Sequence, residues 1–456
     1  MNKINTFSLL LICIVLFSCS KEESKYLEES TEISTDTEIA RFNIKNNRWI
    51  YTQMDENYFW RKDMPDSVSL NFNVEPSVFF KKLLSKKDRF SWCEINSNYK
   101  GGSSAYYAAL PDEIGFEYQT YQDLQHNIIY EVLYVTREDV LSAGIARGDM
   151  LKVVSCSGDS YTFEKGNILD NVFVAATENK DITVSLHSVS ALSQKNETVY
   201  LDSIYTKGAK KIGYLVYLGF KDNIDLLSSF KYFKQNNIDE LILDLRYNPG
   251  GYVSTCAFLA ALIVWNNALG KPFQLQEYND KISSWNYENY GDSIEVVNIS
   301  NSNIAVQNNV NLRKLYVLTS NNTASASEAL IIGLRPYMDV VVIGDVTYGK
   351  GVGSYTIANS LYKYQLQPIT FRYFNALHQT VPDEGLNPDY SIKDHSYSKS
   401  DLGNENEPLL YVSLSIISGN SISGASLKAS VSDSSRLVKI GDASFVRKFK
   451  ERNVYY

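Results

Sequence analysis

An unbroken β-branched run, Val340-Val341-Val342-Ile343, leaves a folding chain few choices. It has no polar face, so it predicts a strand covered on both sides, as in a parallel sheet flanked by helices. The residues before it fit that frame. Leu315 to Leu318 is a second strand-like run, and Thr319 to Ser325 is small and polar. Ala326, Ala329, Leu330, Ile332 and Gly333 then recur at helical spacing until Pro336 stops the helix. A third apolar run, Leu241 to Leu245, follows a strand-like segment at 211–220 and a helical one from Leu226, and ends in Asn248-Pro249-Gly250-Gly251. Repeated β-α-β order predicts an α/β core over residues 200–392.

Two turns in that core carry chemically useful residues. Ser325 stands at a strand-to-helix turn, where a hydroxyl is exposed above a helix N-terminus. Lys350 stands between Gly349 and Gly351 on the loop after the next strand, from which it could return to the serine. A lysine is no base at its ordinary pKa of about 10.4; a value of roughly 7–8 is needed, a shift of ~3 units or ~4 kcal/mol. Desolvation supplies such a shift when no carboxylate sits beside the amine. Val340–Ile343, Tyr348 and Val352 favour it, and an inward Asp345 would oppose it. Ser327, two residues after Ser325, is the competing nucleophile.

The run Thr323-Ala324-Ser325-Ala326-Ser327-Glu328, with Gly344 to Gly351 after it, resembles the active-site signature of the C-terminal processing (tail-specific) serine peptidases. Asp244-Leu245-Arg246-Tyr247-Asn248-Pro249-Gly250-Gly251 resembles a second motif of that family, and Gly385 to Asp389 a third. The aromatic run Trp49 to Trp60 resembles its N-terminal helical segment. The resemblance implies a multidomain α/β protein: a helical N-terminal part, a β-rich PDZ-like domain and a ClpP/crotonase-like serine protease core. It implies Ser325 as nucleophile and Lys350 as base, at the family's spacing. The Gly250 and Gly251 backbone, with the N–H of Ala326, is assigned to the oxyanion hole. Four residues after the lysine the family often carries Gln or Glu; this chain has Ser354, the candidate to orient Lys350. Asp244 and Arg246 are expected to be structural.

The remaining segments set the domain plan. Residues 1–18 pair Lys3 with an apolar stretch, Phe7 to Phe17, too short for a comfortable membrane span, and are expected to be a signal peptide. Leu16-Phe17-Ser18-Cys19 resembles a bacterial lipobox, which makes Cys19 the lipidated residue of an outer-membrane lipoprotein. Lys21-Glu22-Glu23 resembles the surface-export signal of some Bacteroidetes lipoproteins, so either face of that membrane stays open. Residues 19–40 are expected to be a flexible tether. Residues 41–100 are expected to be helical, with Gly101 to Ser104 a linker, and 393–456 a C-terminal extension. Over 112–190 short strand-like runs precede Ala143-Gly144-Ile145-Ala146-Arg147-Gly148-Asp149, which resembles a PDZ signature. Its carboxylate-binding loop would be Ile114-Gly115-Phe116, and the domain would either recruit substrate C-termini or gate the cleft. Residues 270–312, polar and Asn/Ser-rich, are expected to be an insertion bordering the cleft.

Composition excludes several partners. A net charge of −8 offers nothing to nucleic acid, and the scattered histidines and cysteines show no metal-ligand spacing. No cofactor is expected. The function implied is a lipid-anchored serine endopeptidase acting on proteins or peptides of the cell envelope. The alternative is a catalytically weak or inactive peptide-binding lipoprotein of the same fold.

Overall fold

A computed structural model describes residues 35–95, 110, 114–176, 181–186, 198–221, 224–394, 400–420 and 437–441. The signal segment, Cys19, the Gly101–Ser104 linker and most of the tether lie outside the described residues.

The core is a six-stranded sheet built from β8 (Val199–Lys207), β9 (Lys210–Tyr217), β10 (Glu240–Asp244), β13 (Lys314–Thr319), β14 (Asp339–Gly344) and β19 (Tyr390–Ser391), in the order β19-β14-β13-β10-β9-β8. Every neighbouring pair is parallel except β8–β9. One face buries Leu241, Leu243, Leu315, Val317 and Val342 against helices α4 (Ile224–Asn236), α5 (Val253–Ile263), α7 (Asn303–Asn308) and α8 (Ala326–Leu334). The other buries the intervening Ile242, Tyr316, Leu318 and Ile343 against α9 (Pro408–Ile417). Strand side chains alternate between faces, so a strand covered on both sides needs apolar residues throughout, which explains the unbroken runs.

A second, four-stranded sheet, β12-β11-β18-β15, joins β11 (Pro272–Tyr278), β12 (Glu295–Asn298), β15 (Val352–Ser354) and β18 (Ile369–Phe374). Residues 270–312 are therefore folded into the core rather than a polar insertion, since β11 pairs with β18 and α6 (Asp280–Tyr290) follows it, while Phe273 and Gln274 of β11 do border the cavity beside Ser325. The N-terminal part also departs from expectation. Helix α1 (Thr35–Asn57) reaches back into the expected tether, and Pro76 starts α2 (Pro76–Leu83) at its first turn, where a missing N–H costs nothing. The segment then ends in a strand, β1 (Trp92–Ile95), which pairs with β17 (Tyr364–Gln367); β16 (Ile357–Ala358) lies on the other side of β17. Trp49, Ile50, Met54, Tyr58, Phe79 and Phe90 share one cluster with Val352, Leu366 and Ile369. The helices thus pack on the strand that follows Lys350.

Residues 116–185 form a β-rich unit with β2 (Phe116–Gln122), β3 (Ile128–Val135), α3 (Glu138–Ser142), β4 (Met150–Ser157), β5 (Ser160–Leu169), β6 (Val172–Ala175) and β7 (Ile182–Ser185). Its sheet is completed by β20 (Val438–Gly441), so the C-terminal extension is part of the folded structure at two places, α9 and β20. A buried ionic cluster ties the units together. Arg246, fully buried, bonds Asp244 through Nε (2.9 Å) and Glu407 at the N-cap of α9 through Nη1 (2.6 Å) and Nη2 (3.0 Å). Asp394 accepts from Arg246 Nη1 (3.0 Å) and from Arg147 Nη2 (2.7 Å), which the β-rich unit supplies. Burial alone would raise the Asp394 pKa; the two guanidiniums outweigh it and hold it at about 2.

Arg246→Ala would strand Asp244 and Glu407 as buried, uncompensated carboxylates, a loss of about 3–5 kcal/mol. The expected outcome is a clear fall in the urea midpoint of tryptophan fluorescence, larger than for Lys207→Ala, whose pair with Glu405 is solvent-facing.

Candidate active site

The turns after β10, β13 and β14 meet beyond the C-terminal edge of the sheet, the Gly250 turn against Ser325 and the Gly349 loop on Glu328. β13 leads through Ser320–Ala324 to Ser325, whose φ of 56° and ψ of −113° lie in a strained region for a residue with a Cβ. Such strain is of order 1–3 kcal/mol and has to be held in place. The holding group is Glu328, one turn into α8 and fully buried. Its Oε2 accepts from the Ser325 N–H (2.8 Å) and the Lys350 N–H (2.9 Å). Its Oε1 accepts from the Gly349 N–H (2.8 Å) and the Thr347 hydroxyl (2.6 Å). All four partners are donors, a set that only an ionised carboxylate accepts in full. Burial pushes the Glu328 pKa up, and these bonds oppose the shift.

Two further links close the same gap. The Tyr373 hydroxyl lies 3.1 Å from the Ser325 carbonyl and 2.9 Å from that of Lys350. The Tyr348 N–H donates to the Thr323 carbonyl at 2.9 Å. Serine turn and lysine loop are thus joined by a carboxylate, a phenol and the backbone. Sequence reasoning assigned Glu328 and Tyr373 no role. Glu328 stood within the serine motif, and a carboxylate three residues into a helix is a capping-box signal that could have exposed it.

Lys350 is buried, 5% exposed, with Nζ 5.5 Å from the centre of the Phe90 ring. Burial pushes its pKa down to about 8; the nearby carboxylates of Glu328 and Asp88 pull it partway back. The opposing charges are therefore not Asp345, whose Oδ1 accepts from the Val346 N–H at 2.9 Å. Asp88 is held by the Tyr58 hydroxyl (2.8 Å) and the N–H groups of Phe90 (2.8 Å) and Ser91 (2.9 Å). Arg89 Nη2 donates to the carbonyls of Gly349 (2.8 Å) and Asp383 (3.0 Å). The N-terminal segment, read from sequence as packing alone, thus forms one wall of the lysine's surroundings. Ser354 does not fill the expected orienting place: its Oγ accepts from Gln367 Nε2 at 2.9 Å and serves the neighbouring strand.

The glycine turn needs one correction. At Gly250 (φ +102°) a Cβ would come within 2.9 Å of Ser325 Cβ, so only glycine allows this approach. Its N–H, however, donates to Asn248 Oδ1 at 2.8 Å, which removes Gly250 from the oxyanion donors. Among the described residues, the N–H groups of Gly251 and Ala326 make no such bond and border the same small cavity as Ser325. That cavity encloses about 20 Å³, room for about one water, and its walls include Cys256, Phe273, Ala329, Val352, Phe371 and Tyr373. Ser327 is buried with its Oγ donating to the Asn248 carbonyl (3.0 Å), a structural bond that leaves Ser325 as the nucleophile candidate. Asp244 and Arg246 are structural, as expected.

In the β-rich unit, the Ile114 and Phe116 side chains belong to the local core, so a ligand could meet only the backbone there. The Gly115 carbonyl already accepts from Thr136 (2.9 Å) and Arg137 (3.2 Å). Cys93, Cys156 and Cys256 are all free thiols, and among the described residues no group of acidic, histidine or cysteine side chains could hold a metal ion.

Residues 211–392 match the family described as Peptidase family S41, and residues 45–92 match the Peptidase S41 N-terminal domain. The "Probable CtpA-like serine protease" of Staphylococcus haemolyticus is 24% identical over 407 residues, covering 86% of this chain and 73% of the relative. The protein of the same description from Staphylococcus aureus strain N315 is 24% identical over 265 residues, 56% of this chain and 48% of its own length. A solved structure from Bacteroides fragilis NCTC 9343, assigned to the S41 proteases, superposes with a TM-score of 0.65 at 25% identity, covering 87% of this chain and 99% of that one.

If Glu328 holds serine and lysine in register, Glu328→Ala should cut the rate of labelling of Ser325 by a fluorophosphonate probe. A fall of about 10²-fold is expected, as for an ångström-scale misplacement. Asp88→Asn, which removes a charge that favours the lysine ammonium, should move the acid limb of the labelling profile to lower pH. Stopped-time labelling between pH 5 and 10, read by gel fluorescence, measures both.

Proposed function

From a chain that carries a peptidase family S41 domain together with that family's N-terminal domain, we propose a serine endopeptidase working through a Ser325–Lys350 dyad. The observation that carries the reading is the double bridge, Glu328 on one side and Tyr373 on the other, which brings the strained serine turn and a desolvated lysine together. In the reaction, neutral Lys350 takes the proton from Ser325 Oγ, which attacks the peptide carbonyl. The tetrahedral oxyanion is received by the N–H groups of Gly251 and Ala326, already oriented before the substrate arrives. Lys350 returns its proton to the leaving amine, and then deprotonates the water that hydrolyses the acyl-enzyme.

The substrate is a polypeptide, and the narrow apolar cavity beside Ser325 takes a small apolar side chain just before the scissile bond. Phe273 and Phe371 close it to a large one, so alanine-sized residues are preferred. The β-rich unit acts as a PDZ-like module for substrate chain ends, with the edge of β2 as its docking strand. Cys19 is the lipid-bearing residue, and the protein works at the outer membrane.

Hydrolysis of an unfolded protein such as reduced casein should fall at least about 10⁴-fold in Ser325→Ala and in Lys350→Ala, with near-UV circular dichroism unchanged. Because only the free amine is a base, the rate of the active protein should rise with pH and level off above a pKa of about 8. A wild-type protein as inert as the two variants across that range would favour a peptide-binding role for the same fold. Peptides with Ala before the scissile bond should be cleaved at least about tenfold faster than those with Phe, scored by mass spectrometry. Cys19→Ala should move the protein from the membrane to the soluble fraction and abolish metabolic labelling with a fatty acid.

A further inference from the structure

The β-rich unit would expose β2 as an edge strand if it ended with its own consecutive strands. Instead β20, from the far end of the chain, covers that edge: Thr120 faces Gly441, Tyr121 faces Lys439 and Gln122 faces Val438, antiparallel. β20 runs toward the Ile114–Phe116 turn at the start of β2. That is the direction a docked peptide takes when its carboxyl end approaches such a turn. Resting on the PDZ-like reading of this unit, we propose that β20 occupies the peptide-docking edge in cis, so that a substrate chain reaches β2 only by displacing it.

One side chain of β20 also bears on a buried carboxylate of this sheet. Glu131, on β3 beyond β2, is buried and 3% exposed. Burial pushes its pKa up to about 7; Tyr121 and the charges of Arg147 and Lys439 oppose that shift, and Asp394 adds to it. Lys439 therefore brings a charge from the C-terminal strand toward a carboxylate that burial disfavours. The pairing is nonetheless short, three residue pairs on a four-residue strand, with a register shift between Thr120 and Tyr121. A short ladder yields more easily than a long one, while tethering sets its local concentration on the order of millimolar against a free peptide. The edge is thus held shut against weak ligands and open to those that pair over more of β2. A blocked edge strand is also one that does not pair with other copies.

The test uses the full chain with Ser325→Ala, so that no peptide is cut, with and without Val438→Pro and Ile440→Pro, since proline cannot donate to a ladder. The probe is a fluorescent peptide of residues 434–444, followed by anisotropy, alongside hydrogen exchange of the whole protein. The proline variant should bind the probe at least about tenfold more tightly than its parent, because the competent fraction rises. Amides of residues 118–122 should lose protection in that variant and regain it with saturating peptide, while β13 amides stay protected and report an intact core. Lys439→Glu, which keeps the backbone donors, should weaken protection at 118–122 in the same direction. Equal probe binding by parent and proline variant, or unchanged protection at 118–122, would overturn the proposal. An unrelated apolar peptide with a free carboxyl end, titrated in the same assay, reports substrate capture separately: if only the 434–444 probe binds, cis occupancy stands and substrate docking at β2 fails.

Discussion

One buried carboxylate organises the catalytic end of this protein. Glu328 receives the backbone of the Ser325 turn and of the lysine loop on a single oxygen, and pins the lysine loop again with the other. Without donors from both, it would be an uncompensated charge at zero exposure, so each partner depends on the other being in place. The same group lies close enough to Lys350 to favour its ammonium. The proposed dyad therefore balances two demands: the carboxylate must be near enough to hold the loop, and the lysine dry enough to serve as a base. Burial wins, and the amine remains below its ordinary range.

That dryness is supplied from outside the α/β core. Phe90 faces the ammonium, Arg89 ties the Gly349 and Asp383 carbonyls together, and the N-terminal helices share a cluster with Val352 directly after the lysine. At Gly349 (φ +82°) a Cβ would lie 2.1 Å from the Asp383 carbonyl, so the loop tolerates no side chain at this closure. The N-terminal segment is therefore part of the surroundings of Lys350, although none of its residues is proposed to react. A similar economy holds at the opposite face of the sheet. Arg246 binds the N-cap residue of α9, and Arg147 reaches Asp394, so the β-rich unit, the core and the C-terminal extension meet on one charge cluster.

The elements most legible in the sequence were those with one physical solution. Val340–Ile343 admits only a strand covered on both faces, Pro336 ends α8's helical pattern, and Gly250 and Gly349 sit where a Cβ would collide with backbone or with Ser325. The α/β order of the core followed from such local constraints, which also placed a serine and a lysine on facing turns; the choice of Ser325 and Lys350 rested on the motif resemblance. The expectations that failed concern partners distant in sequence. Asn248 takes the Gly250 N–H, Gln367 takes Ser354, and Asp88 rather than Asp345 stands near the lysine. Residues 270–312 look like an insertion because they are rich in Asn and Ser, yet Phe273 and Tyr278 find a sheet only when β18 arrives nearly 100 residues later.

By itself, then, the sequence determined which segments must be strands or buried helices, and which turns could present a hydroxyl and an amine. Periodicity, proline and glycine act over a few residues and leave their mark in composition. Only the tertiary structure decided how burial and nearby carboxylates act on the amine, which N–H groups at the glycine turn and at the start of α8 stay unbonded, and what covers the edge of β2. Those properties depend on desolvation and on partners as far away in sequence as Gly441 is from Thr120, and no local pattern encodes a distance across the fold.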